Sequence, residues 1–211
     1  MLRPIVIPLT FLVATTGLFV AWYAEASIPF FPSFLEDEIL ECSEGPQYAD
    51  YQISVLDEFE ADWFAGELRG LREKPLYPVR DASSDTLRFT WLRSFHAPVV
   101  VRTDRLADGR VRLRAKRLAG NDGCSLQGEG CEVVRILEAS EVSRLDAVRR
   151  AALSAPPQVC RDGLDGARWL VESTDGGEYR FAQRWTPEDG PIRELGLTML
   201  EMTGWGFETA Y

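Results

Sequence analysis

His96 is the only histidine in the chain. It is therefore the only side chain whose ordinary pKa suits general acid–base work near neutral pH. It sits in Phe95-His96-Ala97-Pro98, a turn signal at the end of a strand-like run. Asp165, in the polar turn Gly163-Leu164-Asp165-Gly166, is the residue type that orients an imidazole through its second nitrogen. An aspartate there equally suits an Asx turn that holds only its own loop. Arg93 and Arg168 are candidate clamps for an anion, with Trp169 beside Arg168 as a further ligand-binding candidate. Brought together, these residues would suit a hydrolase or lyase acting on a small anionic ligand. They need to share one concave site, and spacing alone does not place them there.

Other chemistries are absent from the sequence. One histidine excludes a multi-histidine metal site and an H-E-x-x-H protease helix, and no metal is expected. There is no G-x-S-x-G elbow and no phosphate-binding G-x-x-x-x-G-K-[ST] loop. Gly128-Glu129-Gly130 follows no clear strand and opens no helix, so it is not a dinucleotide fingerprint, and no cofactor is expected. The function expected from this balance is a non-enzymatic binding or envelope-associated domain. The hydrolase or lyase using His96 and Asp165 is the alternative. A third reading is an immunity- or inhibitor-type protein presenting an acidic helix at 57–73.

The elements that must position these residues are legible from periodicity. Leu87 to Leu118 reads as a three-stranded antiparallel meander. Leu87, Phe89 and Trp91 alternate with Arg88 and Thr90, and Val111, Leu113 and Ala115 alternate with basic residues. Asp108-Gly109 marks one turn, and Pro98, which cannot donate to a ladder, fits the other. Val133 to Leu137 is a candidate fourth strand. A C-terminal hairpin follows, with Trp169 and Val171 on one arm, Tyr179, Phe181 and Trp185 on the other, and Asp175-Gly176-Gly177 between. Helices are expected over 57–73, from Ser140 as N-cap to about Pro156, and from Pro191 to Gly204. Glu73 reads as a helix-end charge. The expected fold class is α+β: an antiparallel sheet of five or six strands, a meander plus a C-terminal hairpin, with helices mainly on one face.

Residues 1–26 bear on location. Ile5 to Tyr23 is a charge-free run of 19 residues after Arg3, and Ala24-Glu25-Ala26 matches a signal-peptidase site before Ser27. The same run is long enough for a membrane anchor, with Trp22 and Tyr23 at an interfacial position. Both readings put the remainder across the membrane, periplasmic or secreted in one case and inner-membrane anchored in the other. Residues 27–56 then read as a tether with a short possible helix at Pro32 to Glu41, and 57–211 as one domain. An even set of four cysteines fits disulfides in that compartment. Cys124 and Cys131 flank a Gly-rich loop and are expected to pair locally, which leaves Cys42 with Cys160.

Charge is unevenly distributed. The chain carries a net charge of −10, yet residues 88–118 hold 9 bases and 2 acids. Arg88, Arg102, Arg112 and Arg114 would share one face of the meander. That face suits an anionic ligand or acidic partner; alternatively it lies under or beside the acidic helix 57–73, or is simply solvated. Net acidity argues against nucleic acid as a partner. The expected partners are a small anionic ligand, an envelope protein, or the membrane through residues 1–26.

The segments Gly66 to Tyr77, Leu87 to Arg102 with Phe89-Thr90-Trp91-Leu92-Arg93-Ser94-Phe95-His96 at their centre, Gly163-Leu164-Asp165-Gly166-Ala167-Arg168-Trp169, and Tyr179 to Pro187 together resemble a family of bacterial exported proteins of unknown function. The likeness spans about residues 57–200. It implies that Arg93, His96, Asp165 and Trp169 belong to a shared pattern, and it implies no activity.

Overall fold

The structure is a computed structural model; it describes residues 29–43, 49–119, 124, 131–161, 163 and 165–207. The segment 1–26, expected as signal or anchor, lies outside them. Among the described residues no helix is long and apolar enough to cross a membrane.

The fold is α+β. In chain order the elements are α1 (Phe34–Asp37), β1 (Ile39–Cys42), β2 (Tyr51–Ser54), α2 (Glu58–Gly70), β3 (Thr86–Arg93), β4 (Val99–Arg105), β5 (Val111–Arg117), β6 (Glu132–Ile136), α3 (Ala139–Leu153), β7 (Ala167–Asp175), β8 (Glu178–Trp185) and α4 (Pro191–Glu201). Six strands form one antiparallel sheet in the order β6-β5-β4-β3-β7-β8, and β1-β2 form a separate hairpin. The meander is therefore β3-β4-β5, and the C-terminal hairpin β7-β8 joins it along β3, with Phe89 opposite Val171 and Trp91 opposite Trp169.

Period-two alternation assigns the two faces. Leu87, Phe89 and Trp91 of β3, Val99 and Val101 of β4, Leu113 and Ala115 of β5, and Trp169 and Val171 of β7 pack with α3 and α4 in one core. On the opposite face Leu92, Val100, Leu170 and Phe181 pack with Phe64, Ala65 and Leu68 of α2 and with Phe30, Phe31 and Leu35. The helices mainly on one face are α3 and α4, whereas α2 covers the other. The central strand is consequently buried on both sides, including Arg88, Thr90 and Leu92. It is not the half-buried strand that its alternation suggests.

Within the stretch read as a tether, α1 lies inside the expected short helix at 32–41; the β1-β2 hairpin was not expected, and Phe30, Phe31, Val55 and Leu56 are buried in the second core. Both expected disulfides are present, Cys42–Cys160 with Cα atoms 5.5 Å apart and Cys124–Cys131 with Cα atoms 4.8 Å apart. The N-cap of α3 is Glu138 and not Ser140. Glu138 and Glu141 form a reciprocal capping box that satisfies two amides at once, which Ser140 inside the first turn cannot do.

Candidate functional site

The sequence-derived candidates are distributed over both faces of the sheet. His96 lies in the turn between β3 and β4 and lines a shallow depression of about 400 Å³ with Arg93, Ser94, Phe95, Trp63 and Glu67. Arg93 ends β3. Its guanidinium lies over the Trp91 ring, 4.3 Å from the centroid, and donates to the Ala97 carbonyl at 2.7 Å. Arg93 thereby braces the turn that carries His96.

Asp165 is exposed on the loop that leads into β7. The two loops are tied together next to it. Ser94 donates its amide to the Gly166 carbonyl at 3.0 Å, and its Oγ accepts from the Gly166 amide at 3.1 Å. Gly163 and Gly166 are glycines because Trp185 packs against both, and a Cβ at either would enter the indole. The polar turn around Asp165 thus has a packing reason for its composition. Asp165 is not among the residues that line the His96 depression.

Arg168 and Trp169 lie on opposite faces of β7, and neither lines the His96 depression. Arg168 forms an ion pair with Glu60 of α2 at 2.6 Å and lies over Trp185. Glu60 also accepts from the Gln183 amide nitrogen at 3.0 Å. Trp169 is fully buried among Phe89, Trp91 and α4. Of the five candidates, Arg93 and His96 line this depression, and Asp165, Arg168 and Trp169 are not among its lining residues.

The basic residues of the meander do share a face, and most are neutralised there. Arg88 is fully buried and donates through Nε and Nη2 to Glu172 at 2.8 and 2.6 Å. Its Nη1 donates to the Lys74 carbonyl at 2.7 Å. Glu172 accepts from the Tyr179 hydroxyl at 3.0 Å. Burial first, and then the Glu172 charge, push that phenol well above the usual range. Glu73 is buried and contacts Lys116 at 2.7 Å, Arg88 at 3.8 Å and Arg102 at 4.0 Å. Asp104 then receives Arg102 at 2.6 Å, Arg112 at 3.2 Å and Thr86 at 2.9 Å. Burial raises the Asp104 pKa, but the Arg102 charge and these hydrogen bonds overcome it and leave the carboxyl below its ordinary value. Glu73 reaches this network because α2 ends with Arg72 at φ 56°, which returns the chain so that the Glu73 amide bonds the Leu68 carbonyl at 2.9 Å.

Sequence reasoning missed a second concavity at the opposite end of the sheet. A cleft of about 620 Å³ lies between α3, which contributes Asp146, Arg149, Arg150 and Leu153, and the β7-β8 end with Ser173, Asp175, Gly176, Glu178 and Arg180; Asp85 and Arg105 close its side. Asp85 receives Arg105 at 2.8 Å and Arg149 at 2.6 Å. Arg105 also meets Asp146 at 3.2 Å, and Arg180 meets Glu178 at 2.9 Å. These residues come from four separate segments, none with a motif, so only the fold assembles them. No group of three or more metal-ligating side chains occurs among the described residues.

The chain matches no protein-family model, no curated protein and no solved structure.

Proposed function

We propose that this is a binding domain, envelope-associated or secreted, that works outside the cytoplasm and is not an enzyme. The observation that carries the reading is the closure of all four cysteines into two disulfides. Such bonds persist in oxidising compartments and are rare in the cytosol, and the export or anchor character of residues 1–26 points the same way. The resemblance to exported bacterial proteins fits it. Binding is favoured over catalysis by the dispersal of the five candidate residues. Arg168 is held by Glu60 and Trp169 is in the core.

One observation favours the hydrolase or lyase reading, namely that Arg93 and His96 line the same depression. The inhibitor-type reading asks for a free acidic helix. Asp57 caps α2 and Glu60 and Glu73 are turned inward onto bases, which leaves less of that surface than the sequence suggests.

Binding and catalysis separate in one experiment. Disulfide-intact protein is incubated with a small-molecule extract of the bacterial envelope, and the bound and free fractions are compared by mass spectrometry. A component retained unchanged, by wild type and by His96→Ala alike, is the expected result. A component consumed by wild type and spared by His96→Ala would overturn the proposal in favour of the enzyme.

A further inference from the structure

We infer that the cleft between α3 and the β7-β8 turn binds one oxyanion group, a carboxylate or a phosphate, of a small ligand, through Ser173, Arg149 and Arg150. The inference rests on the binding reading above and names a site and a ligand class for it. The cleft volume of about 620 Å³ lies within the range of small-molecule sites, about 300–1,000 Å³.

Two enclosed donors point to the ligand. Ser173 is 1% exposed, and its Oγ has no hydrogen-bond partner among the protein atoms. Arg149 Nη1 forms an ion pair with Asp85 Oδ1 at 2.6 Å, an oxygen that makes no hydrogen bond, whereas its Nη2 is enclosed and makes no hydrogen bond either. Buried hydroxyl and guanidinium hydrogens ordinarily find an acceptor, and two such donors lining one cleft call for an oxygen supplied from outside. Arg150 stands at the rim with no ion pair among the described residues, and it adds the charge that an oxyanion requires.

The cleft also holds four acids, and their placement decides whether an anion is tolerated. Asp85, Asp146 and Glu178 each already face an arginine. Asp175 is the exception. Its carboxylate lies 3.9 Å from Arg149 Nη2, too far for a hydrogen bond, and its side chain is 70% exposed. It stands where a ligand oxyanion would sit, at the start of a turn whose Gly176 and Gly177 adopt positive φ. An incoming anion displaces Asp175 outward and takes its place at hydrogen-bonding distance from Nη2 and Ser173.

The test is titration of the full, disulfide-intact chain with inorganic phosphate in one arm and succinate in the other, against chloride at equal ionic strength, followed by amide shifts and thermal midpoint. Saturable binding of at least one probe is expected, and the arm that saturates identifies the source of the oxyanion. Ser173→Ala should weaken that binding about tenfold, the worth of one charge-assisted hydrogen bond. It should leave the ligand-free midpoint unchanged or higher, because the hydroxyl it removes has no partner; a merely structural serine would lower it. Arg150→Gln, on the surface, should also weaken binding, and Asp175→Asn should tighten it. The inference is overturned if neither probe binds above chloride, or if Ser173→Ala and Arg150→Gln both bind as wild type. Should Ser173→Ala fail to fold, Arg150→Gln and Asp175→Asn decide alone. Loss of this inference leaves the envelope-extract result standing, so the two proposals fail separately.

Discussion

Arg88 and Glu172 show how a charge comes to lie at the centre of this fold. Both side chains are essentially inaccessible to solvent. Removing two ions from water is expensive, and a close contact backed by further hydrogen bonds to both partners is what offsets it; Arg88 Nε and Nη2 both donate to Glu172 Oε2. Here the Arg88 fork spans Glu172 and the Lys74 carbonyl, and Tyr179 caps the second Glu172 oxygen. Glu172→Ala leaves Arg88 buried with the Lys74 carbonyl and, as counter-charge, the longer Glu73 contact at 3.8 Å, so a loss of about 3–5 kcal/mol is expected. Urea denaturation measures it, and a loss below about 1 kcal/mol would show that the pair is peripheral to stability. Little of this was legible residue by residue. Arg88 alternates with Leu87 and Phe89 as any solvated strand residue would. The available signal was that Leu92, Val100 and Leu170, on the same face as Arg88, are apolar, which marks a second buried layer. Two of the candidate residues lie apart for a related reason. Arg168 and Trp169 are adjacent in a strand and therefore cannot point to the same side.

At the scale of elements, the strands, turns and long helices were legible because hydrophobic period and turn chemistry agree over Leu87–Leu118 and Trp169–Trp185. What the period could not show is which helix covers which face, because that depends on contacts between distant segments. The glycines of two helices carry that information in energetic form. Gly196 of α4 lies against two core rings, and a Cβ there would come within 2.5 Å of Trp169 and 2.7 Å of Phe89. Alanine is better than glycine in a helix by about 1 kcal/mol, but overpacking against two buried rings costs about 1–3 kcal/mol. Gly196→Ala is expected to destabilise on balance. Gly66 of α2 has nothing within 4 Å of its missing Cβ, so Gly66→Ala should stabilise by up to about 1 kcal/mol. Equal thermal shifts for the two variants would contradict the packing of α4 on β3 and β7. The start of α3 gives a pH-dependent counterpart. Glu141 receives hydrogen bonds from Arg135 at 2.6–2.7 Å and from the Glu138 amide at 2.8 Å. The Arg135 hydrogen bonds, more than the opposing burial, lower its pKa from 4.5 to about 2. A carboxylate with a depressed native pKa contributes stability that is full above its unfolded value and is lost as pH falls through the folded one. The wild-type advantage over Glu141→Gln should therefore hold at pH 7 and shrink between about pH 4.5 and 2. A gap in urea midpoints that stays constant from pH 7 to 3 would contradict the assignment.

On the scale of the whole molecule, the two disulfides act over very different spans. Cys124 and Cys131 are 7 residues apart, whereas Cys42 and Cys160 are 118 apart. The long bond joins the β1-β2 hairpin to the segment before β7, and so fastens the N-terminal layer, with Phe30, Phe31 and Leu35, over the second face of the sheet. That layer looks like a tether in sequence because α1 and the two short strands have only four residues each. Elements so short have little local preference and form only when docked. Cross-linking a chain removes unfolded-state entropy that grows with the logarithm of the closed loop, to about 5 kcal/mol for the long bond and about 2–3 kcal/mol for the short one. The double variant Cys42→Ala/Cys160→Ala should therefore lose roughly twice the stability of Cys124→Ala/Cys131→Ala in chemical denaturation. It should also expose the layer locally. Amides of Ile53 to Leu56 and of α2 should exchange faster than those of β3 and β7, because the face they cover keeps its strand ladder while losing its fastening. If the short bond proves the more stabilising, or if exchange accelerates uniformly through the sheet, then the hairpin layer and the sheet unfold as one unit and the fastening role assigned to Cys42–Cys160 is wrong.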